Sequence, residues 1–121
     1  MEKSILIVED DEVLRFVREV AHEAASTPII LYRTSRSKRK IGSSLFGELA
    51  TTGPTFIGTK DTGSDPDTVR ALLRAAPDIA IFGGEDFFER VPIGGRGGYC
   101  SITGLNPRKV AELYEHCAAG R

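Results

Sequence analysis

"SILIVEDDEVLRFVREVAHEA", residues 4–24, decides how the rest of the chain is read. Its opening, SILIVE (4–9), is apolar and β-branched without alternation, as a parallel strand buried on both faces should be. EVLRFVREVAHEA (12–24) then sets Val13, Phe16, Val17, Val20, Ala21 and Ala24 on one helical stripe. A strand giving way to an amphipathic helix is a β/α unit, and the exchange recurs along the chain. PIILY (28–32) leads to SSLFGELA (43–50), where Ser43 or Ser44 can serve as cap. TFIGTK (55–60) leads to DPDTVRALLRAA (65–76), with Pro66 in the first turn and Asp or Ser ahead of it as cap. DIAIFG (78–83) leads to a short helical turn, EDFFERV (85–91). GGYCSIT (97–103) leads to NPRKVAELYEHCAAG (106–120), with Asn106 as N-cap, Pro107 at the first helical position and Gly120 as C-cap.

Repeated β/α units specify a parallel sheet with right-handed crossovers. The chain's 121 residues suit a single domain, 1–121, and fall short of the about 200 that a complete eight-stranded barrel needs. The expected fold is α/β: a five-stranded parallel (βα)5 sheet, doubly wound, with the flavodoxin-like strand order 2-1-3-4-5. The alternative is an open half-barrel with strands in consecutive order. That layout leaves one sheet face bare and demands dimerisation.

Hydrophobic residues make up 40% of the chain and charged residues 27%, the balance of a globular core rather than of disorder. A formal net charge of −1 gives no electrostatic case for nucleic acid or an anionic membrane as partner. No apolar run approaches the roughly 18 residues of a membrane span, and no signal peptide is evident, so a cytoplasmic protein is expected. Cys100 and Cys117 are too few for a disulfide scaffold or a metal site; they read as a buried strand residue and a reduced helix residue. His22 and His116 lie on helices without a triad or metal-ligand partner at helical spacing. RTSRSKRK (33–40) gathers five basic residues without interleaved aromatics and reads as a solvated loop. GGRGG (94–98) precedes a strand instead of leading from one into a helix, so it fails the dinucleotide fingerprint and reads as a tight turn.

Two resemblances divide the chain. Residues 3–20 resemble the start of a bacterial response-regulator receiver, with Glu9 and Asp10 matching its acidic pair. That resemblance implies weak magnesium affinity at Glu9 and Asp10, whose hard oxygens suit the ion; no other cofactor is expected. It also implies a phosphate-accepting aspartate after the third strand. Asp61 stands near that place but follows Lys60, and the later Ser/Thr and Lys-Pro roles have no counterpart.

From about residue 21 onward, PIILYRTSR, FIGTKDTGSD, DIAIFGGED and GGRGGYCSITGLNPRKVAELYE resemble the second half of a pyruvate-dependent aldolase of the dihydrodipicolinate synthase and N-acetylneuraminate lyase type. The resemblance implies that Lys60 forms a Schiff base with a 2-oxo acid and that Tyr32 relays protons. The family folds as a full barrel, of which the last four strands are recognisable here. Its loop for the substrate carboxylate, and a tyrosine supplied by a neighbouring subunit, belong to the other half. Arg33 replaces the Asn frequent after that tyrosine, and Asn106 falls one residue late.

Receiver-like residues 1–20 followed by aldolase-like residues 21–121 read as an engineered chimera, joined near 18–26. In a doubly wound sheet Glu9, Asp10 and Asp61 would surround Lys60 and hold it as a salt-bridged ammonium. The expectation is therefore a scaffold without enzymatic activity, a monomer with a homodimer as the alternative. Residual Schiff-base lyase chemistry at Lys60, and a phosphate-accepting signalling domain, are the two rival functions.

Overall fold

The computed structural model describes residues 10–34, 36–37, 41–51 and 55–121; the expected strand at 4–9 lies outside them. Four strands are described: β1 (Ile29–Arg33), β2 (Phe56–Asp61), β3 (Ala80–Gly83) and β4 (Gly97–Gly98). All run parallel, in the order β1-β2-β3-β4. β1 pairs directly with β2, setting Tyr32 opposite Lys60 and Arg33 opposite Asp61. On the other side of β2, Lys60 stands opposite Phe82 of β3. A doubly wound sheet would insert strand 4–9 between the first two of these, so their direct pairing overturns the order 2-1-3-4-5. The consecutive order is that of a barrel wall, as in the open half-barrel alternative.

Helices α1 (Asp10–Glu23), α2 (Ser43–Ala50), α3 (Pro66–Ala75), α4 (Phe87–Arg90) and α5 (Pro107–Ala118) alternate with the strands. Local chemistry explains their starts. Asp65 accepts a hydrogen bond from the Thr68 N–H at 2.9 Å and Asn106 accepts one from the Lys109 N–H at 3.1 Å, each capping a helix that opens on proline. At α2 neither expected serine is the cap: Gly42 occupies that position, with no side-chain bond. β4 stops after two residues because Ser101–Gly104 coils into a 3-10 turn where an extended strand to 103 was expected.

Among the described residues the core lies on one side of the sheet. Phe46 of α2 meets Phe56 of β2 edge-on, with ring centroids 5.8 Å apart, and Val69 and Leu72 of α3 close over Ile81 of β3. From α1, Leu14, Val17 and Ala21 are buried, but Phe16 and Val20 of the expected stripe face outward. Among the described residues no helix covers the opposite sheet face, where Ile30, Tyr32 and Tyr99 are exposed. This is the inner face that a closed barrel would hide.

Candidate functional site

Successive side chains of a strand point to opposite faces, so Lys60 and Asp61 part company. Lys60 turns to the open face. Its Nζ donates to the Tyr32 hydroxyl over 3.2 Å and sits 4.3 Å above that ring's centroid. A second aromatic, Tyr99, has its centroid 6.0 Å from the same nitrogen and packs edge-on against Phe82. Tyr32 and Lys60 lie at the carboxyl ends of adjacent strands, where barrel folds carry their chemistry. Among the described residues no carboxylate lies within ion-pair distance of Lys60.

Glu85 stands at the same end, just past β3, and its carboxylate accepts the Ser101 N–H at 2.5 Å. That bond chiefly, with the Lys60 charge as the weakest contributor, holds the Glu85 carboxyl below the ordinary glutamate range. Sequence reading missed both Glu85 and Tyr99. Their signal was positional, since each closely follows the end of a strand.

Asp61 turns to the helix side and is 1% exposed. Its Oδ1 lies 3.2 Å from Arg33 Nη1 and accepts the Ser64 hydroxyl at 2.9 Å; its Oδ2 lies 3.3 Å from Arg90 Nη1. Arg90 also donates to Asp86 from Nε and Nη2, the latter at 2.6 Å. Burial alone would raise the Asp86 carboxyl, but the bonds from Arg90 and the Gly84 N–H outweigh it and hold the group below the usual aspartate range. Arg33 donates from Nη2 to the Ile41 carbonyl, while its Nη1 contact with Asp61 is an ion pair off the hydrogen-bonding direction. Its burial, opposed by Asp61 and aided by Arg90, lowers the guanidinium below the ordinary arginine value.

These placements correct several expectations. Asp61 does not neighbour Lys60, so the acid ring that would silence the amine lacks one member. A phosphoryl donor cannot reach a carboxylate sealed between two arginines, which removes Asp61 as an acceptor. Glu9 lies outside the described residues, as does the side chain of Asp10, which appears as the first residue of α1. Arg33 is a buried ion-pair partner and not part of a solvated loop; Arg36 is exposed, and Lys38, Arg39 and Lys40 lie outside the described residues. Cys100, half-exposed beside the Thr103 hydroxyl, is outside any strand, and Cys117 is buried on α5; both are free. In GGRGG, Gly94 caps a 3-10 turn at φ 114°, and Gly97–Gly98 form β4. No described helix is long and apolar enough to cross a membrane.

Comparison with known proteins bears on the same residues. The model of the dihydrodipicolinate synthetase family matches residues 7–121. Among solved structures, dihydrodipicolinate synthase from Bacteroides thetaiotaomicron superposes with a TM-score of 0.81 at 21% identity, over 96% of this chain and 40% of that one. A prophage protein of the dihydrodipicolinic acid synthase family from E. coli, in complex with pyruvate, gives 0.84 at 20% identity, over 96% and 41%. N-acetylneuraminate lyase from Fusobacterium nucleatum gives 0.81 at 22% identity, over 93% and 39%. No curated protein sequence is significantly similar. The chain spans about two fifths of the length of these solved structures. The family match begins at residue 7 and runs unbroken through 18–26, so neither a receiver nor a chimera is supported. The expectation of a scaffold that is not an enzyme is likewise overturned, because the family and its structural neighbours are synthases and lyases. The chain belongs to the dihydrodipicolinate synthetase family.

Proposed function

We propose that this family member forms a Schiff base between Lys60 and a pyruvate-like 2-oxo acid, as one half of a lyase or aldolase site. The observation that carries the reading is the 3.2 Å contact of Lys60 Nζ with the Tyr32 hydroxyl, free of any carboxylate ion pair among the described residues. The neutral amine attacks C2 of the oxo acid; the nitrogen, now an ammonium, gives up one proton, and the carbonyl oxygen takes one up to become a hydroxyl. The nitrogen lone pair then forms the C=N bond as that hydroxyl, protonated once more, departs as water. Tyr32 is placed to pass these protons, since its oxygen already touches the reacting nitrogen. Tyr99 and Phe82 give the site an apolar wall.

The site is open on one side, with Tyr32 58% and Tyr99 53% exposed. Closing it requires a cover for the bare face of the described strands, and the cover we propose is the same face of a second copy of this chain. A homodimer is the proposed working form. It predicts a sedimentation mass twice that of the monomer and a melting temperature that rises with protein concentration; a monomer at all concentrations would remove this part of the reading.

The chemistry is tested by incubation with pyruvate and borohydride, followed by peptide mass mapping. A reduced adduct on Lys60 that is lost in Lys60→Ala is expected. No adduct, or an adduct on another lysine, overturns the proposal.

A further inference from the structure

The face of the sheet opposite Lys60 carries a charge cluster with no part in the chemistry described so far. Asp61, Arg90 and Arg33 are 1%, 3% and 8% exposed, so no substrate on the open face can touch them. Their places in the chain are regular. Arg33 ends β1, Asp61 ends β2, and Arg90 ends the short helix after β3, where Asp86 ties it to the Gly84 N–H at 2.9 Å. One carboxylate thus joins the ends of β1, β2 and α4. It does so at the register position Arg33↔Asp61, one step beyond Tyr32↔Lys60.

We propose that this cluster positions the Lys60 amine against the Tyr32 hydroxyl, with Asp61 as the central positioning residue; the inference rests on the Schiff-base reading above. Two long side chains meet at their tips only if the strands beneath them keep their stagger. The β1–β2 register shifts between Ile29 and Ile30 and then runs evenly to Arg33↔Asp61. The Arg33–Asp61 ion pair clamps the carboxyl end of that even stretch, one step beyond Tyr32 and Lys60. Arg90 adds a restraint from the side of β3, and Gly83 leaves it room: a Cβ there would come within 2.8 Å of the Arg90 Cδ. A misplacement of about 1 Å at a reacting pair can cost about a hundredfold in rate.

The test compares wild type with Asp61→Asn and Arg33→Lys, using the surface variant Arg70→Ala as control, because Arg70 pairs with exposed Asp67 away from the cluster. Asp61→Asn removes the charge; Arg33→Lys keeps the charge and loses the fork. The pyruvate dependence of borohydride trapping is measured on protein whose circular dichroism is native. Both variants are expected to lose about tenfold or more in limiting rate at an unchanged half-saturating pyruvate concentration, with Arg70→Ala like wild type. A purely structural cluster would lower the melting temperature and leave the limiting rate per folded molecule untouched, and that result overturns the inference. Should Asp61→Asn fail to fold, Arg33→Lys decides alone. Should wild type trap no pyruvate, the Schiff-base reading falls by itself. The positioning claim is then decided without substrate, by the NMR chemical shift of the Lys60 methylene beside Nζ, which the Tyr32 ring displaces: a changed shift in the variants sustains it, and an unmoved one overturns it.

Discussion

Tyr32→Phe separates chemistry from stability at this site. The substitution keeps the aromatic ring, and with it the face that lies 4.3 Å below Lys60 Nζ. It deletes only the oxygen that accepts from that nitrogen at 3.2 Å. Because Tyr32 is 58% exposed, its hydroxyl is not replaced by an unsatisfied buried group, and the folding free energy should change by no more than about 0.5 kcal/mol. The rate should change far more. A positioned proton-transfer group contributes about 10² to 10⁴ in rate. The lower figure corresponds to about 2.7 kcal/mol of transition-state stabilisation. The assay is single-turnover trapping of pyruvate on Lys60, with a urea melt of the same sample. The expected outcome is trapping slowed about a hundredfold in a protein whose melt coincides with wild type. Equal trapping rates would show that the hydroxyl is a bystander and that some other group moves the protons.

Two further predictions concern stability. Asp65→Ala removes the cap of α3 and should lower the thermal midpoint, whereas Asp65→Asn should restore most of the loss. Asp86 is held below the ordinary aspartate value of 3.8 in the folded protein, so between the folded and unfolded values the unfolded chain binds more protons. Its contribution is therefore complete above about pH 4 and is lost as pH falls through the folded value. The stability gap between wild type and Asp86→Asn should be widest near neutral pH and close on acidification; a gap independent of pH would refute the assignment.

The strands at 29–33, 56–61 and 80–83 were legible because apolar, β-branched runs bounded by polar turns leave little else for the backbone to do. The caps at Asp65 and Asn106 were legible for the same local reason. Strand order was not. A barrel wall and a doubly wound sheet use the same β/α unit, and only the pairing of 29–33 with 56–61, separated by a loop and a helix, distinguishes them. The stripe on α1 over-predicted burial because periodicity marks a face without saying how much of it meets a neighbour; Phe16 remains 64% exposed. At the site, Tyr32 and Lys60 were found through their motif. Arg90 carried no signal, since its ion pair with Asp61 depends on how α4 packs against β3 and β4.

The error with the largest consequence was to treat Lys60 and Asp61 as one acidic–basic neighbourhood because they are adjacent in sequence. In a strand, adjacency places two side chains on opposite faces, and these two faces differ in kind. Asp61, on the covered side, can remain charged only by gathering Arg33 and Arg90, since an unpaired buried carboxylate is costly. That demand draws the ends of β1, β2 and α4 together. Lys60, on the open side, keeps the company of Tyr32 and Tyr99 and lies beyond ion-pair reach of Asp61. The Lys-Asp dipeptide thus separates two requirements that conflict at a single point: a buried charge at the strand ends, and an amine without a carboxylate ion pair among the described residues. Moving the acid by one residue would exchange the faces, set the acid beside the amine, deprive buried Arg33 of Asp61 and leave Arg90 paired with Asp86.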